Sequence, residues 1–462
     1  MRGRTLSPWK GARVAVVGLA RSGVAACRFL RKREAIVVGT DLRTAEQLGS
    51  AVSDLVASGV DLSLGDYPDL AAFDALVLSP GVDPSQEAIR RARDAGVTIL
   101  PELELGAREV KGLMVCITGT KGKSTTTMSL HAMLRDGGLD ARAVGNIGEP
   151  ITAHVDGSDE RSIFVVEASS FQLEITTALR PHYAVFLNLF PDHLDRHPTF
   201  EAYAAAKARI FSNQTARDTA VVNGEEPAVV DLARQTRAQV IPFRPRTPPS
   251  PQTPSPVAYL HDGNAFIKER DDLELFRSAD VRIPGAAIRG NFLAAAATAH
   301  RMGVKADSIR NAVRDFRGVP HTFERIGELG GVVFFNDSKA TTPESVKVAL
   351  NSFDAPVIAI MGGRLKAGSF SSLREAAARH TKAIYAIGES RELIIDALSS
   401  VCPVTAAETL EEAVHSAHRI AKPGDTILLS PGCSSFDMFR DYAERGDVFR
   451  RVFADLHLRG AA

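Results

Sequence analysis

Val115-Cys116-Ile117-Thr118 runs straight into Gly119-Thr120-Lys121-Gly122-Lys123-Ser124-Thr125. An apolar run, a turn with two glycines and a Lys-Ser pair, then a helix-like stretch from Thr127 to Arg135, leave few folds open. The order strand, tight turn, helix is that of a phosphate-binding loop. Glycines let the backbone approach the phosphates, amides at the helix start point at them, Lys123 adds a point charge, and the Ser124 hydroxyl can reach magnesium. The string is shorter than the general Walker A pattern, because Ile117 stands where that pattern has its first glycine. A Gly-Lys-Ser triplet alone suits an ordinary surface turn equally well; the strand before it and the helix after it favour a nucleotide.

At 462 residues the chain has room for two or three domains, given about 100–200 residues for each. Its 55 basic and 55 acidic residues cancel, which gives no hint of nucleic-acid binding. Cys27, Cys116, Cys402 and Cys433 are far apart and form no CxxC pair, as expected of reduced thiols. The N-terminus has no apolar signal core and no run is long enough for a membrane span, so a cytoplasmic protein is expected.

The opening reads as Rossmann-like: a strand from Arg13 to Val17, the turn Gly18-Leu-Ala-Arg-Ser-Gly23, a helix through Leu30, and a strand ending at Asp41-Leu42-Arg43. Asp41 falls about where a ribose would sit. Ala20 occupies the middle of the GxGxxG pattern, so a nucleotide-sugar site or a structural turn fits at least as well as a dinucleotide site. Ser79-Pro80-Gly81-Val82 follows another strand, as a ligand cleft or merely a turn.

Further along, Glu167 closes a strand, placed either to hold magnesium beside the phosphate loop or to cap a neighbour. Asp192-His193-Leu-Asp195-Arg196-His197 is a solvated loop or a metal or phosphate site. Lys207, among alanines, reads from its neighbours as an exposed helix lysine. Arg244 to Pro256 is too proline-rich for helix or central strand and reads as an extended, mobile surface loop. Four strands after Gly331 end in polar, glycine-rich turns, the binding edge of another doubly wound sheet. The expected class is α/β with three domains: a Rossmann-like N-terminal domain (1–101), a central P-loop ATPase-like domain (102–319) and a C-terminal Rossmann-like domain (320–462).

Five strings taken together resemble the Mur ligases, in order and over nearly the whole chain. They are Gly119-Thr-Lys-Gly-Lys-Ser-Thr125, Glu167-Ala-Ser-Ser-Phe-Gln-Leu-Glu174, Asp192-His-Leu-Asp195, Asn336-Asp-Ser-Lys-Ala-Thr341 and Leu428-Leu-Ser-Pro-Gly-Cys-Ser-Ser435. The last two are similar to the member that adds D-glutamate to UDP-N-acetylmuramoyl-L-alanine in peptidoglycan precursor synthesis. The resemblance implies that ATP phosphorylates a substrate carboxylate and that the glutamate amine attacks the acyl phosphate.

It also implies roles. Gly119, Thr120, Lys121, Gly122, Lys123, Ser124 and Thr125 would hold ATP, with Asn291, Asp337 and Lys339 as further contacts. Lys123, His193 and Lys207 would be catalytic. Ser124, Glu167, His193 and Lys207 would serve two magnesium ions, Lys207 as a CO2-derived carbamate. Arg21, Ser22, Leu42, Arg43, Ser79 and Asn146 would hold the UDP-sugar, and Thr341, Lys366, Ser435, Phe436 and Tyr442 the glutamate. The expected partners are the two substrates, with no nucleic acid or membrane, and the expected state is a monomer.

The chain departs from the family in places. Lys121 stands where asparagine or histidine is frequent, and Thr322 where an arginine commonly faces ATP. Gly290 and Ala294 replace a histidine and an asparagine around Asn291, and Gly362-Gly-Arg-Leu-Lys366 replaces Gly-Gly-Asp-Gly-Lys. The alternatives are a ligase for L-glutamate, another Mur or folylpolyglutamate-type ligase, a nucleotide-binding regulator without turnover, and an NAD-dependent oxidoreductase. Joint retention of Lys123, Glu167, His193 and Lys207 argues against the regulator; Ala20 and the second nucleotide loop argue against the oxidoreductase.

Overall fold

The computed structural model describes residues 8–194, 196–250, 252–366 and 368–460. These residues build three sheets in two compact units. One unit runs to Ser278 and includes Gly290–Val313; the other comprises Ala279–Arg289 and the chain from Arg314 onward. Among the described residues no helix is long and apolar enough to cross a membrane. All four cysteines are buried and unbridged.

Short aliphatic strands separated by helices make parallel pairing the natural outcome, since each crossover helix covers a sheet face. The first sheet lies in the order Asp61–Leu64, Ile36–Asp41, Arg13–Val17, Ala75–Leu78, Thr98–Pro101, entirely parallel. Strand order reverses at Arg13–Val17, so a ligand crevice opens beyond Val17 and Leu78. The turn there is dictated by close approach. Gly18 has φ +88°, and a Cβ on Gly23 would lie 1.9 Å from the Gly18 carbonyl oxygen. Ala20 is extended, with φ −80°, and needs no glycine.

The second sheet, of nine strands, carries the phosphate-loop strand Leu113–Thr118 between Ile163–Glu167 and Tyr183–Phe186. It continues through Thr219–Asn223 and Gln239–Arg244 and ends in an antiparallel ribbon, Val257–His261, Asn264–Lys268 and Asp272–Arg277. Met114 to Thr118 is fully buried, as a strand covered on both faces must be. Near the start of the proline-rich stretch, Arg246 and Thr247 are anchored. Glu225, its side chain 7 % exposed, accepts hydrogen bonds from the Arg246 and Thr247 amides and the Thr247 hydroxyl, and pairs with the Arg246 guanidinium. Proline forbids a regular ladder but not anchorage on a buried carboxylate.

The third sheet lies in the order Glu324–Leu329, Val332–Asn336, Thr426–Leu429, Val357–Gly362, Thr381–Ile387, Val404–Ala406. Its first pair is antiparallel and the rest parallel, with apolar clusters on both faces.

Candidate active site

Thr118 ends its strand at the sheet's carboxyl edge, and the chain turns through Gly119 (φ +152°) and Gly122 (φ +87°) into helix Lys123–Asp136. Gly122 is irreplaceable on two counts. Its φ is left-handed, and a Cβ would meet the Asn291 side-chain oxygen at 2.5 Å. Asn291 thus lies against the loop. The loop is held from below by a residue the sequence did not flag. Asn188 Oδ1 accepts from the Thr120 and Lys121 amides, and its Nδ2 donates to the Lys121 carbonyl. Only its place at the end of an adjacent strand could have pointed to it. Lys123 curls over the loop, its Nζ donating to the Gly119 and Thr120 carbonyls at 3.0 Å each. Ser124 is half-buried and Thr125 buried in the first turn of the helix.

Lys207 corrects the reading made from its neighbours. It is 1 % exposed rather than on a solvated helix face. Its Nζ donates to the Gly119 carbonyl at 2.9 Å and lies 4.8 Å from the centre of the Tyr203 ring. Alanine neighbours are silent about which face of helix Phe200–Ala208 is covered; packing against the phosphate loop decides it. Burial, reinforced by the Lys123 charge, pulls the Lys207 ammonium down to about 6. At neutral pH it is therefore largely an uncharged, nucleophilic amine.

Glu167 is 2 % exposed at the end of the neighbouring strand. Its Oε1 accepts from Asn146 Nδ2 at 2.7 Å, while Oε2 is buried without a hydrogen-bond partner. A buried carboxylate oxygen left unsatisfied beside a phosphate loop fits a cation better than a cap, since an orphaned acceptor is costly. Among the described residues no three His, Cys, Asp or Glu side chains form a ready metal cage. Magnesium keeps waters and takes phosphate oxygens with only one or two protein ligands. His193 is exposed, with φ +54°, and its ring lies 5.0 Å from that of Phe171. Asp192 pairs with Lys121 at 3.3 Å. Asp195 of the same motif lies outside the described residues.

In the first sheet, Arg21, Ser22, Leu42, Arg43 and Ser79 line one cavity of about 520 Å3 at the strand reversal. Asn146, the sixth residue of that expected group, sits instead on the second sheet beside Glu167. Ser79 donates to the Gly18 carbonyl at 2.6 Å, which locks the two turns together. Asp41 lines the same cavity, and its carboxylate is engaged by neighbouring groups. Its Oδ2 accepts from the Leu19 amide at 2.7 Å, and its Oδ1 accepts from the amide and Nε of Arg43. Burial opposes its charge, yet the Arg43 guanidinium and the Leu19 amide hold the carboxyl down at about 2.

In the other unit, Asp337 is 4 % exposed; its carboxylate accepts from the Phe323 amide at 3.2 Å and the Ser430 hydroxyl at 3.1 Å. Burial lifts its pKa to about 7. Lys339 is exposed beside it. Lys366 and Phe436 meet, Nζ to ring centre 5.3 Å, with Ser435 buried and Tyr442 half-exposed nearby in sequence. Thr341 is half-buried just before helix Pro343–Leu350. Arg445, missed from the sequence, is 1 % exposed and ties three turns together by donating to the Ser338, Cys433 and Gly362 carbonyls. Burial lowers it to about 10, so it remains charged at neutral pH. Cys433 is fully buried and pushed up to about 11, which leaves it inert as a nucleophile.

Comparison with known proteins agrees along the chain. Residues 12–101 match the family model for the Mur ligase MurD-like N-terminal domain, 117–299 the Mur ligase middle domain, and 322–433 the Mur ligase glutamate ligase domain. The chain is 40% identical to a UDP-N-acetylmuramoylalanine--D-glutamate ligase of Acidobacterium capsulatum, over 98% of each chain. It is 38% identical to the ligase of that name from Pelotomaculum thermopropionicum, over 96% of this chain and 98% of that one. Among solved structures, the UDP-N-acetylmuramate-alanine ligase MurC of Thermotoga maritima aligns with TM-score 0.58 at 18% identity, covering 96% of this chain and 99% of that one. MurF of Acinetobacter baumannii aligns with TM-score 0.59 at 16% identity, covering 91% and 90%. At such identity these structures speak for the fold alone.

Proposed function

The chain belongs to the Mur ligase family, and from that premise we propose that it joins D-glutamate to UDP-N-acetylmuramoyl-L-alanine at the expense of ATP, in cytoplasmic peptidoglycan precursor synthesis. The observation that carries the reading is full-length similarity to ligases of that name, at 40% and 38% identity. The three assigned domains are 1–101 for the UDP-sugar, 102–319 for ATP and 320–462 for glutamate, in a monomer.

The chemical problem is to bring a carboxylate up to a triphosphate. In this reading the loop from Gly119 to Thr125 cradles the phosphates, with Lys123 shifting from its own carbonyls to the transferring phosphoryl group. Asn291 borders the loop on the nucleoside side, while Asp337 and Lys339 complete the ATP contacts. Ser124 and the orphaned Glu167 oxygen would hold a magnesium ion, which would neutralise phosphate charge when bound. Lys207 has the property a carbamate requires, an uncharged amine at neutral pH: addition to CO2 forms an N–C bond and releases a proton. The resulting anion, with His193, would serve a second ion. Arg21, Ser22, Leu42, Arg43, Ser79 and Asn146 hold the UDP-sugar. Thr341, Lys366, Ser435, Phe436 and Tyr442 hold glutamate, Lys366 pairing with one of its carboxylates. The substrate carboxylate oxygen bonds to the γ-phosphorus as the bond to the bridging oxygen breaks and ADP leaves; the glutamate amine then attacks the acyl phosphate carbon, loses a proton, and the C–O bond to phosphate breaks, giving phosphate and a new amide.

The test is phosphate release from ATP by the purified chain. Release should require both UDP-N-acetylmuramoyl-L-alanine and glutamate, and Lys123→Ala should abolish it. A near-normal rate in that variant would contradict the phosphate-loop assignment.

A further inference from the structure

Arg196 is absent from every role assigned above, yet its side chain touches two segments of the site's framework. Its side chain is 14 % exposed. One guanidinium nitrogen donates to the Val82 carbonyl at 3.1 Å and also binds Glu174; another pairs with Asp83 at 3.2 Å. The guanidinium carbon lies 5.5 Å from the centre of the Phe171 ring.

Each of these contacts leads to a different part of the site. Val82 and Asp83 continue the Ser79-Pro80-Gly81 turn of the first sheet. A Cβ on Gly18 would stand 2.8 Å from the Val82 side chain, so Val82 is wedged against the other turn of the same cavity. Glu174 and Phe171 belong to the segment after Glu167. Phe171 faces His193 at 5.0 Å and stacks on His197 at 5.5 Å. The Arg196 amide donates to the His193 carbonyl, which fixes the left-handed turn at His193. One planar fork therefore joins the Ser79–Asp83 turn of the first sheet to Glu174 and Phe171 of the second, and Phe171 in turn meets His193, a task a lysine point charge cannot repeat.

We propose that Arg196 is a positioning residue for the acceptor substrate: it sets the Ser79–Asp83 turn and the His193 turn in register, so that the nucleotide-sugar end and the reacting carboxylate of one molecule are held together. This rests on the functional reading above. The phosphate loop meets the same region at Lys121–Asp192 and Thr120–Phe190, but its own amides are held by Asn188, so the ATP constant should respond less than that of the UDP-sugar.

The experiment is steady-state kinetics on Arg196→Lys and Asp83→Asn, varying UDP-N-acetylmuramoyl-L-alanine and ATP separately, with Tm recorded. Arg196→Lys should raise KM for the UDP-sugar about 10-fold and leave KM for ATP within about twofold. Asp83→Asn removes one partly exposed partner and should move the same constant by about threefold. Equal rises in both constants, or none in either variant, overturn the proposal. If the lysine variant does not fold, the asparagine variant decides alone by the same criterion. The wild-type enzyme separates the two claims: without glutamate-dependent phosphate release the functional reading fails, whereas with it and no KM split only the role of Arg196 fails.

Discussion

Lys207 concentrates the chemistry at the scale of a single residue. A lysine buried against a phosphate loop is a liability to the fold unless function requires it. Its folded value of about 6 lies below the 10.5 of an exposed lysine. Between those values the unfolded chain binds a proton that the folded chain does not, so this group makes stability rise with pH across that window. Lys207→Met should therefore be more stable than wild type, by several degrees in Tm near pH 7, with the gap narrowing towards pH 9. A gap that stays constant or widens would show that the lysine is not buried uncharged. The same variant should lack activity, and added formate or acetate should restore part of it to Lys207→Ala if a carboxylate is what the site needs. Full activity without rescue would refute the carbamate. The sequence could not announce this residue, because alanine neighbours carry no information on which helix face is covered. Only the family resemblance singled it out.

Among the elements, the phosphate loop was the most legible, because strand, glycines and helix start lie consecutively in the chain and geometry leaves little choice. Its support was not legible. Asn188 is distant in sequence and chemically unremarkable, yet it supplies three of the loop's hydrogen bonds. Asn188→Leu would leave the Lys121 amide and carbonyl without their partner, and the Thr120 amide with only the backbone carbonyl of residue 188. It should raise KM for ATP about 10-fold and leave KM for the UDP-sugar unchanged, as separate saturation curves would reveal. An unchanged ATP constant would mean that the loop is rigid without it. The proline-rich stretch is the opposite case: composition excluded regular structure correctly, but the glutamate that anchors its start, Glu225, lies 21 residues upstream of Arg246.

For the whole molecule, strand and helix alternation was enough to foresee three α/β sheets, while the way the first two join depends on contacts distant in sequence. Helix Glu102–Ala107 follows the last strand of the first sheet directly. Glu102 accepts from the Thr152 amide and hydroxyl, and Glu104 from the Thr177 and Ala178 amides, so two buried carboxylates bind the connection to the second sheet's loops. Burial raises Glu102 to about 7, although Thr152 acts against it. Between the ordinary 4.5 and that value the folded chain holds a proton that the unfolded chain has lost, so this group makes stability fall as pH rises. Glu102→Gln should gain Tm relative to wild type as pH rises from about 5 to about 7 and hold that gain above. A pH-independent difference would indicate that Glu102 is ionised throughout.

The central claim concerns the reaction, and the amino acid is its most exposed point. Phosphate release from ATP with UDP-N-acetylmuramoyl-L-alanine should be measured with D-glutamate, with L-glutamate and with neither. Release with D-glutamate alone, accompanied by a product heavier by one glutamyl residue, is the result expected. Release with L-glutamate alone would contradict the assignment of substrate, and no release with either, from folded protein that still binds ATP, would contradict the assignment of function.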